Sequence, residues 1–156
     1  MVSAGNAKWK LLVASGPVEG VVSTAPFDGE GAGHVTIVLF AGAPVGGPFR
    51  ALEVQEAGGT DRYGRLVGPA DVPGCVAGSS TPHSGSAALP GPADANKVWA
   101  FELDCCPPRK RYLGPSIITG GPTALTAFAC LSRDGRPAAA RVADAASRGL
   151  AAVYRA

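Results

Sequence analysis

The sequence predicts an all-β fold: an antiparallel β-sandwich or jelly roll of seven to nine short strands, closed by an extended or partly helical C-terminal tail. Three observations carry this expectation. Short runs of alternating or β-branched apolar residues recur along the chain. Glycine and proline, 22 and 14 of 156 residues, punctuate those runs at near-regular intervals. A composition of 46% hydrophobic against 17% charged residues is too apolar for a solvated coil, so the turn-rich chemistry belongs to a packed domain. A single domain over residues 1–136 is expected, with residues 137–156 as a tail or arm.

In chain order, residues 9–14 form a short apolar run ended by Ser15-Gly16-Pro17, and residues 18–24 form a second, so two strands joined by a Gly-Pro turn are expected. Residues 27–33 read as a loop. His34-Val35-Thr36-Ile37-Val38-Leu39-Phe40 is the clearest strand of the first half; it is apolar on both faces from Ile37 onward, which places it at the centre of a sheet with layers on either side. After a loop over residues 41–48, alternation resumes, with Leu52 and Val54 on one face and Glu53 and Gln55 on the other. From residue 57 the pattern weakens. A short strand fits residues 61–67, and residues 68–96 read as one long Gly/Ser/Pro loop, of the kind that is either a surface insertion or ordered by a partner.

The second half is denser. Trp99, Phe101 and Leu103 alternate with Val98, Ala100 and Glu102, and burying the first three would contribute ~1.5–3 kcal/mol each. The turn at Cys105-Cys106-Pro107-Pro108 leads into Arg109, Lys110 and Arg111 and then Tyr112. This basic cluster reads as the start of an edge strand whose long side chains reach carboxylates of the same or a neighbouring subunit. Contact with nucleic acid is the less favoured reading, because three cations give weak, salt-sensitive binding. Residues 115–119 and 123–131 are two strands, and Gly120-Gly121-Pro122 between them is a hairpin signal. The alanine-rich residues 138–156 favour helix, with Arg136, Arg141, Arg148 and Arg155 spread along them and Val142, Leu150 and Val153 as a thin apolar stripe. Such a tail either docks on another subunit or frays in solvent.

Function is not written in the residue chemistry. The formal charge of +2 carries no general footprint for nucleic acid or anionic membrane. No run reaches the ~20 apolar residues of a membrane span, and residues 1–8 lack the pattern of a secretory signal, so the expected location is a cytosol or something assembled there. Adjacent Cys105 and Cys106 point to opposite sides of an extended chain and do not converge on a metal. They read with Cys75 and Cys130 as plain thiols, Cys130 as a small core residue, and a disulfide between two of the four as the alternative. Asp28 and Glu30 do not have calcium-loop spacing. His83, with Ser80, Ser84 and Asp94 nearby, lacks the Gly-x-Ser-x-Gly elbow of a hydrolase, and the glycines of residues 42–47 lack the Lys-Ser/Thr ending of a phosphate loop. No catalytic residue, metal or cofactor is therefore assigned.

A resemblance supplies more. Leu52-Glu53-Val54-Gln55-Glu56, then residues 94–104, then Arg109-Lys110-Arg111-Tyr112-Leu113, Leu131-Ser132-Arg133 and Arg148-Gly149-Leu150-Ala151 follow one another in a definite order. This succession resembles a family of small β-rich proteins of tailed bacteriophages and prophages, in which "KLQES"-like and "DGKFYAFDVDL"-like strands, an "RKRYL" segment, an "LSR" ending and an "ERGLA" tail recur. The loop after Glu56 and the turn at 105–108 depart from that pattern. The resemblance implies a capsid decoration or cement protein of the virion surface, made in the host cytoplasm, acting by contact and not as an enzyme. Its partners would be the major capsid protein and itself, as a homo-oligomer with a trimer as one form. Interface candidates are Arg109, Lys110, Arg111, Tyr112, Arg133, Arg136, Arg141, Arg148, Leu150 and Tyr154. Alternative expectations are a tail, connector or fibre component, or a carbohydrate-binding module stacking sugars on Trp9, Trp99 or Tyr63, aromatics that otherwise belong in the core.

Overall fold

The computed structural model describes residues 7–44, 46–105, 109–133 and 150–156. These build ten strands: β1 (Ala7–Val18), β2 (Phe27–Asp28), β3 (His34–Ala41), β4 (Ala51–Ala57), β5 (Ala70–Val76), β6 (Ser84–Gly85), β7 (Lys97–Asp104), β8 (Tyr112–Ile118), β9 (Thr123–Ser132) and β10 (Leu150–Arg155). Two of them, β2 and β6, are only two residues long. A 3₁₀ turn, Pro92–Asp94, precedes β7.

The strands form a six-stranded sheet, β1-β9-β3-β7-β10-β6, and a four-stranded sheet, β2-β8-β4-β5. The pairing follows one rule. Bend the chain between β4 and β5, and β4 pairs with β5, β3 with β7, β2 with β8 and β1 with β9, all antiparallel, as the nested rungs of one long hairpin. Rolling that hairpin brings β9 against β3 and β8 against β4. Eight strands wrapped in this way are a jelly roll. β10 is an addition to it, and its ladder with β7 is parallel.

Alternation decides what fills the space between the sheets. Val35, Ile37 and Leu39 of β3, Leu52 and Val54 of β4, Trp99, Phe101 and Leu103 of β7, and Leu113 and Ile117 of β8 all point inward and join one core cluster. The expected inward faces of β4 and β7 are those observed. β3 does sit in mid-sheet, between β9 and β7, but only one of its faces is packed against a second sheet; Phe40, on the other, is 39% exposed.

Several expectations are corrected. Ser15-Gly16-Pro17 is not a turn: β1 runs through it, and two register shifts against β9 absorb the extra residues as bulges. Residues 18–24 are no second strand; beyond the end of β1 they run beside β8, held by a bridge from Val21 to Ile118 and by hydrogen bonds from the Val22 N–H to the Ile117 carbonyl and from the Thr24 hydroxyl to the Pro115 carbonyl. The long loop of residues 68–96 contains β5 and β6, and the loop of residues 27–33 begins with β2. Gly120-Gly121-Pro122 makes no hairpin, because β8 lies in one sheet and β9 in the other; it carries the chain across the sandwich. Tyr112 does not begin an edge strand, since it pairs with Asp28 on one side and Ala57 on the other. The core cysteine is Cys75, fully buried with its thiol pushed up to about 12 by that burial, whereas Cys130 lies on the outer face of β9.

The tail changes most. Its last described residues are extended, the first of the two forms expected, but they are a strand of the sheet and not a free arm. Ala152, Val153 and Tyr154 of β10 are fully buried, and the Tyr154 ring stacks on Phe101 with centroids 5.2 Å apart. The domain therefore includes the C-terminus and does not stop at residue 136. Tertiary pairing has overridden a local alanine-rich preference.

Candidate functional site

One end of the sandwich gathers four of the sequence's fourteen lysines and arginines. Arg109, Lys110 and Arg111 lie between β7 and β8, and Arg133 follows β9. The nested pairing brings the ends of those strands to the same place, beside the glycine-rich loop of residues 29–33. Together they surround a cavity of about 580 Å³ that Glu30 also lines.

The cations differ in how far they are already satisfied. Arg111 donates through Nε and Nη2 to Asp28 Oδ2 at 3.0 and 2.7 Å, and its Nη2 lies 3.1 Å from Glu30 Oε2. The Asp28 carboxyl is held below its ordinary range, first by the Arg111 guanidinium and then by the Glu30 backbone N–H, which donates to Oδ1 at 2.9 Å. Arg111 also lies over the ring of Tyr112, 5.4 Å from its centroid. Arg109 Nε donates to the backbone carbonyl of Asp104 at 2.9 Å, and the Lys110 backbone N–H donates to Glu56. Among the described residues, the Lys110 ammonium and the Arg133 guanidinium form no ion pair. A rim of this kind can accept carboxylate or phosphate oxygens from a partner, with Arg133 offering a planar fork and Lys110 a point charge. Of the cluster's long side chains, that of Arg111 reaches carboxylates of its own subunit, Asp28 and Glu30.

A second surface is apolar. On the outer face of the six-stranded sheet the register aligns Leu11 with Phe128, Phe128 with Val38, and Phe40 with Val98, while the Trp9 ring meets Phe128 at 5.5 Å. Trp9 is 64% and Leu11 59% exposed. Neither was expected on the surface. The legible signal was Lys8-Trp9-Lys10-Leu11, in which cations occupy the alternate positions of a strand. Tyr63, also expected in the core, is exposed and flanked by the guanidinium groups of Arg62 and Arg65. Trp99 is buried as expected.

Further along that face lies a polar row. His34 stands in register between Ser132 and Asp104. It is buried, its Nε2 lies 3.2 Å from Thr36 Oγ1, and its Nδ1 has no partner among the described residues. Burial pushes the His34 imidazole below its ordinary 6.5, against the opposing pull of Glu102 and Asp104. Glu102, also buried, accepts from Arg155 Nε at 2.6 Å, and Arg155 Nη1 donates to His83 Nε2 at 2.8 Å. No group of three metal-ligating side chains occurs among the described residues.

Of the ten interface candidates, Arg109, Lys110, Arg111 and Arg133 converge, with Tyr112 beside them. Arg136, Arg141 and Arg148 lie outside the described residues. Leu150 is half-buried against Ala100 and Val153, and Tyr154 is buried, so neither is a free contact surface in this fold. Fold and site together define a jelly-roll sandwich with a charged cavity at one end and an apolar outer sheet. No family model, no curated protein and no solved structure matches the chain.

Proposed function

We propose that the protein is a structural component of a tailed-phage virion, a head decoration or cement protein that binds neighbouring major capsid subunits by contact. The observation that carries this reading is the convergence of Arg109, Lys110, Arg111 and Arg133 on one end of a jelly roll, where two of the four keep cationic side chains without an ion pair among the described residues. The ordered resemblance supports it, and of its segments Arg109-Lys110-Arg111-Tyr112-Leu113 and the end of Leu131-Ser132-Arg133 lie at this cavity. Individually weak, salt-sensitive contacts suffice for a shell protein, because repetition over an array multiplies them.

The test is made on purified particles. Quantitative gels should give hundreds of copies per head; a handful would move the assignment to a tail, connector or fibre. The variant Lys110→Glu with Arg133→Glu should fold normally and lose about tenfold or more of its affinity for shells. Unchanged binding would remove the basic end from the interface. Deletion of residues 137–156 is the wrong test, because it removes β10 from the core. Exposed Tyr63 and Trp9 favour a second reading, as sugar-stacking platforms of a carbohydrate-binding module. A glycan array without a hit that depends on these two rings would dispose of it.

A further inference from the structure

β10 lies in a groove shaped for a strand. On one side it pairs with β7 from Leu150 to Arg155. On the other it meets β6, and the His83 and Ser86 backbone N–H groups donate to the carbonyls of Val153 and Ala151 at 2.7 and 3.0 Å. The Asp104 N–H donates to the carbonyl of Ala156 at 2.8 Å, so the chain's end is held as well. Two glycines make room. Gly74 at φ +89 and Gly85 at φ +96 sit where a Cβ would come closer than 3.0 Å to the backbone of Arg155 and of Ala151–Ala152. The Tyr154 ring fills the groove over Phe101, and Arg155 pairs with buried Glu102. The parts of the groove thus read both the backbone and the side chains of one particular segment.

The eight-stranded roll completes all its nested pairs without β10. Between Arg133 and Leu150 lie sixteen residues, whose reach at ~3.3–3.6 Å each is up to ~55 Å. Crossing from the end of β9 to the start of β10 spans three strand spacings of ~4.8 Å and one strand length of ~20 Å, about half that reach. The same strand can therefore reach the groove of a neighbouring molecule.

We propose that the β7 edge is a strand-acceptor site whose partner is the C-terminal strand of a second copy of this chain. The contacts are identical within and between molecules, so concentration decides: a tethered strand has an effective concentration of about millimolar, and copies packed at that density exchange strands mutually, closing a two-fold dimer. The groove stands on its own geometry, and only the packing density rests on the virion reading.

Ala100 and Val153 are register partners on β7 and β10. Full-length chains carrying Ala100→Cys and Val153→Cys, one on each, are unfolded, mixed, refolded at ~1 mM and oxidised. A linked heterodimer on a denaturing gel, requiring both variants and absent from wild type treated alike, is the expected result. The proposal is overturned if the mixture yields only single chains while one chain bearing both substitutions links internally. Independently of any variant, the wild-type chain refolded at ~1 mM should show a doubled mass by light scattering, and a monomer there also overturns it. Shell binding separates the two proposals: a chain that exchanges strands but binds no particle sinks only the virion reading, and one that binds as an unexchanged monomer sinks only this one.

Discussion

β1, at one edge of the six-stranded sheet, and β10, beside the short β6 at the other, solve one problem in opposite ways. β1 is its longest strand, yet its apolar side chains Trp9 and Leu11 face solvent, and its open edge is guarded by Lys8, Lys10, Pro17 and two bulges. β10 is half as long and two of its six residues are alanines, yet three consecutive positions are fully buried because β6 and the residues around it cover the edge. Burial here follows position in the roll and not the greasiness of the strand. An edge can be left open if its sequence discourages pairing, or closed if another segment is laid over it.

Four substitutions or conditions would break or sharpen this contrast. Tyr154→Ala should cause the largest loss, about 3–5 kcal/mol in denaturant unfolding, because it empties the space over Phe101. A loss below about 1 kcal/mol would mean that β10 contributes little. Gly85→Val should cost about 2–3 kcal/mol by forcing a Cβ against the Ala151 carbonyl at a positive φ, and equilibrium unfolding reads it. Acid should then weaken the side of the sheet next to β10. His34 binds its proton less readily folded than unfolded, so its contribution is complete above 6.5 and is lost as pH falls from there towards the lower folded value. The charges facing it are Glu102 and Asp104 from β7 and Arg155 from β10. Melting temperature should fall between pH 7 and 5, and His34→Gln should flatten that part of the curve. At the β1 edge Trp9→Ala should change stability by no more than about 0.5 kcal/mol; a loss several times larger would show the exposed ring to be part of the core after all.

Much of the sandwich was legible because its strands alternate strongly. Leu52/Val54 and Trp99/Phe101/Leu103 faced the core as their period demanded. Local signals failed where they had to name a destination. Gly120-Gly121-Pro122 says that the chain bends, and nothing in it says whether the next strand joins the same sheet or the opposite one. Pro73-Gly74 reads as a break, but β5 passes through it with a register shift against β4, bulging toward β10. In the tail, alanines that favour helix in isolation are also small enough for Ala152 to lie between Trp99 and Gly85. At the basic end, Arg109, Lys110 and Arg111 were adjacent and easily seen. Arg133 joins them only because β9 ends where β7 does.

The nested pairing also governs how the molecule comes into being. Its outermost rung joins Ala7 to Ser132, so β1 has no partner until residues 123–132 have been made. At a synthesis rate of ~5–20 residues per second, the nascent first strand waits roughly ten seconds for the ninth, its tryptophan and leucine uncovered on the ribosome. High contact order of this kind folds in milliseconds to seconds, and the β4·β5 rung, the closest in sequence, is the first whose two strands both exist. The lysines flanking Trp9 thus serve an unfinished chain as much as a finished one, keeping neighbours on the same polysome from zipping together before the roll can close.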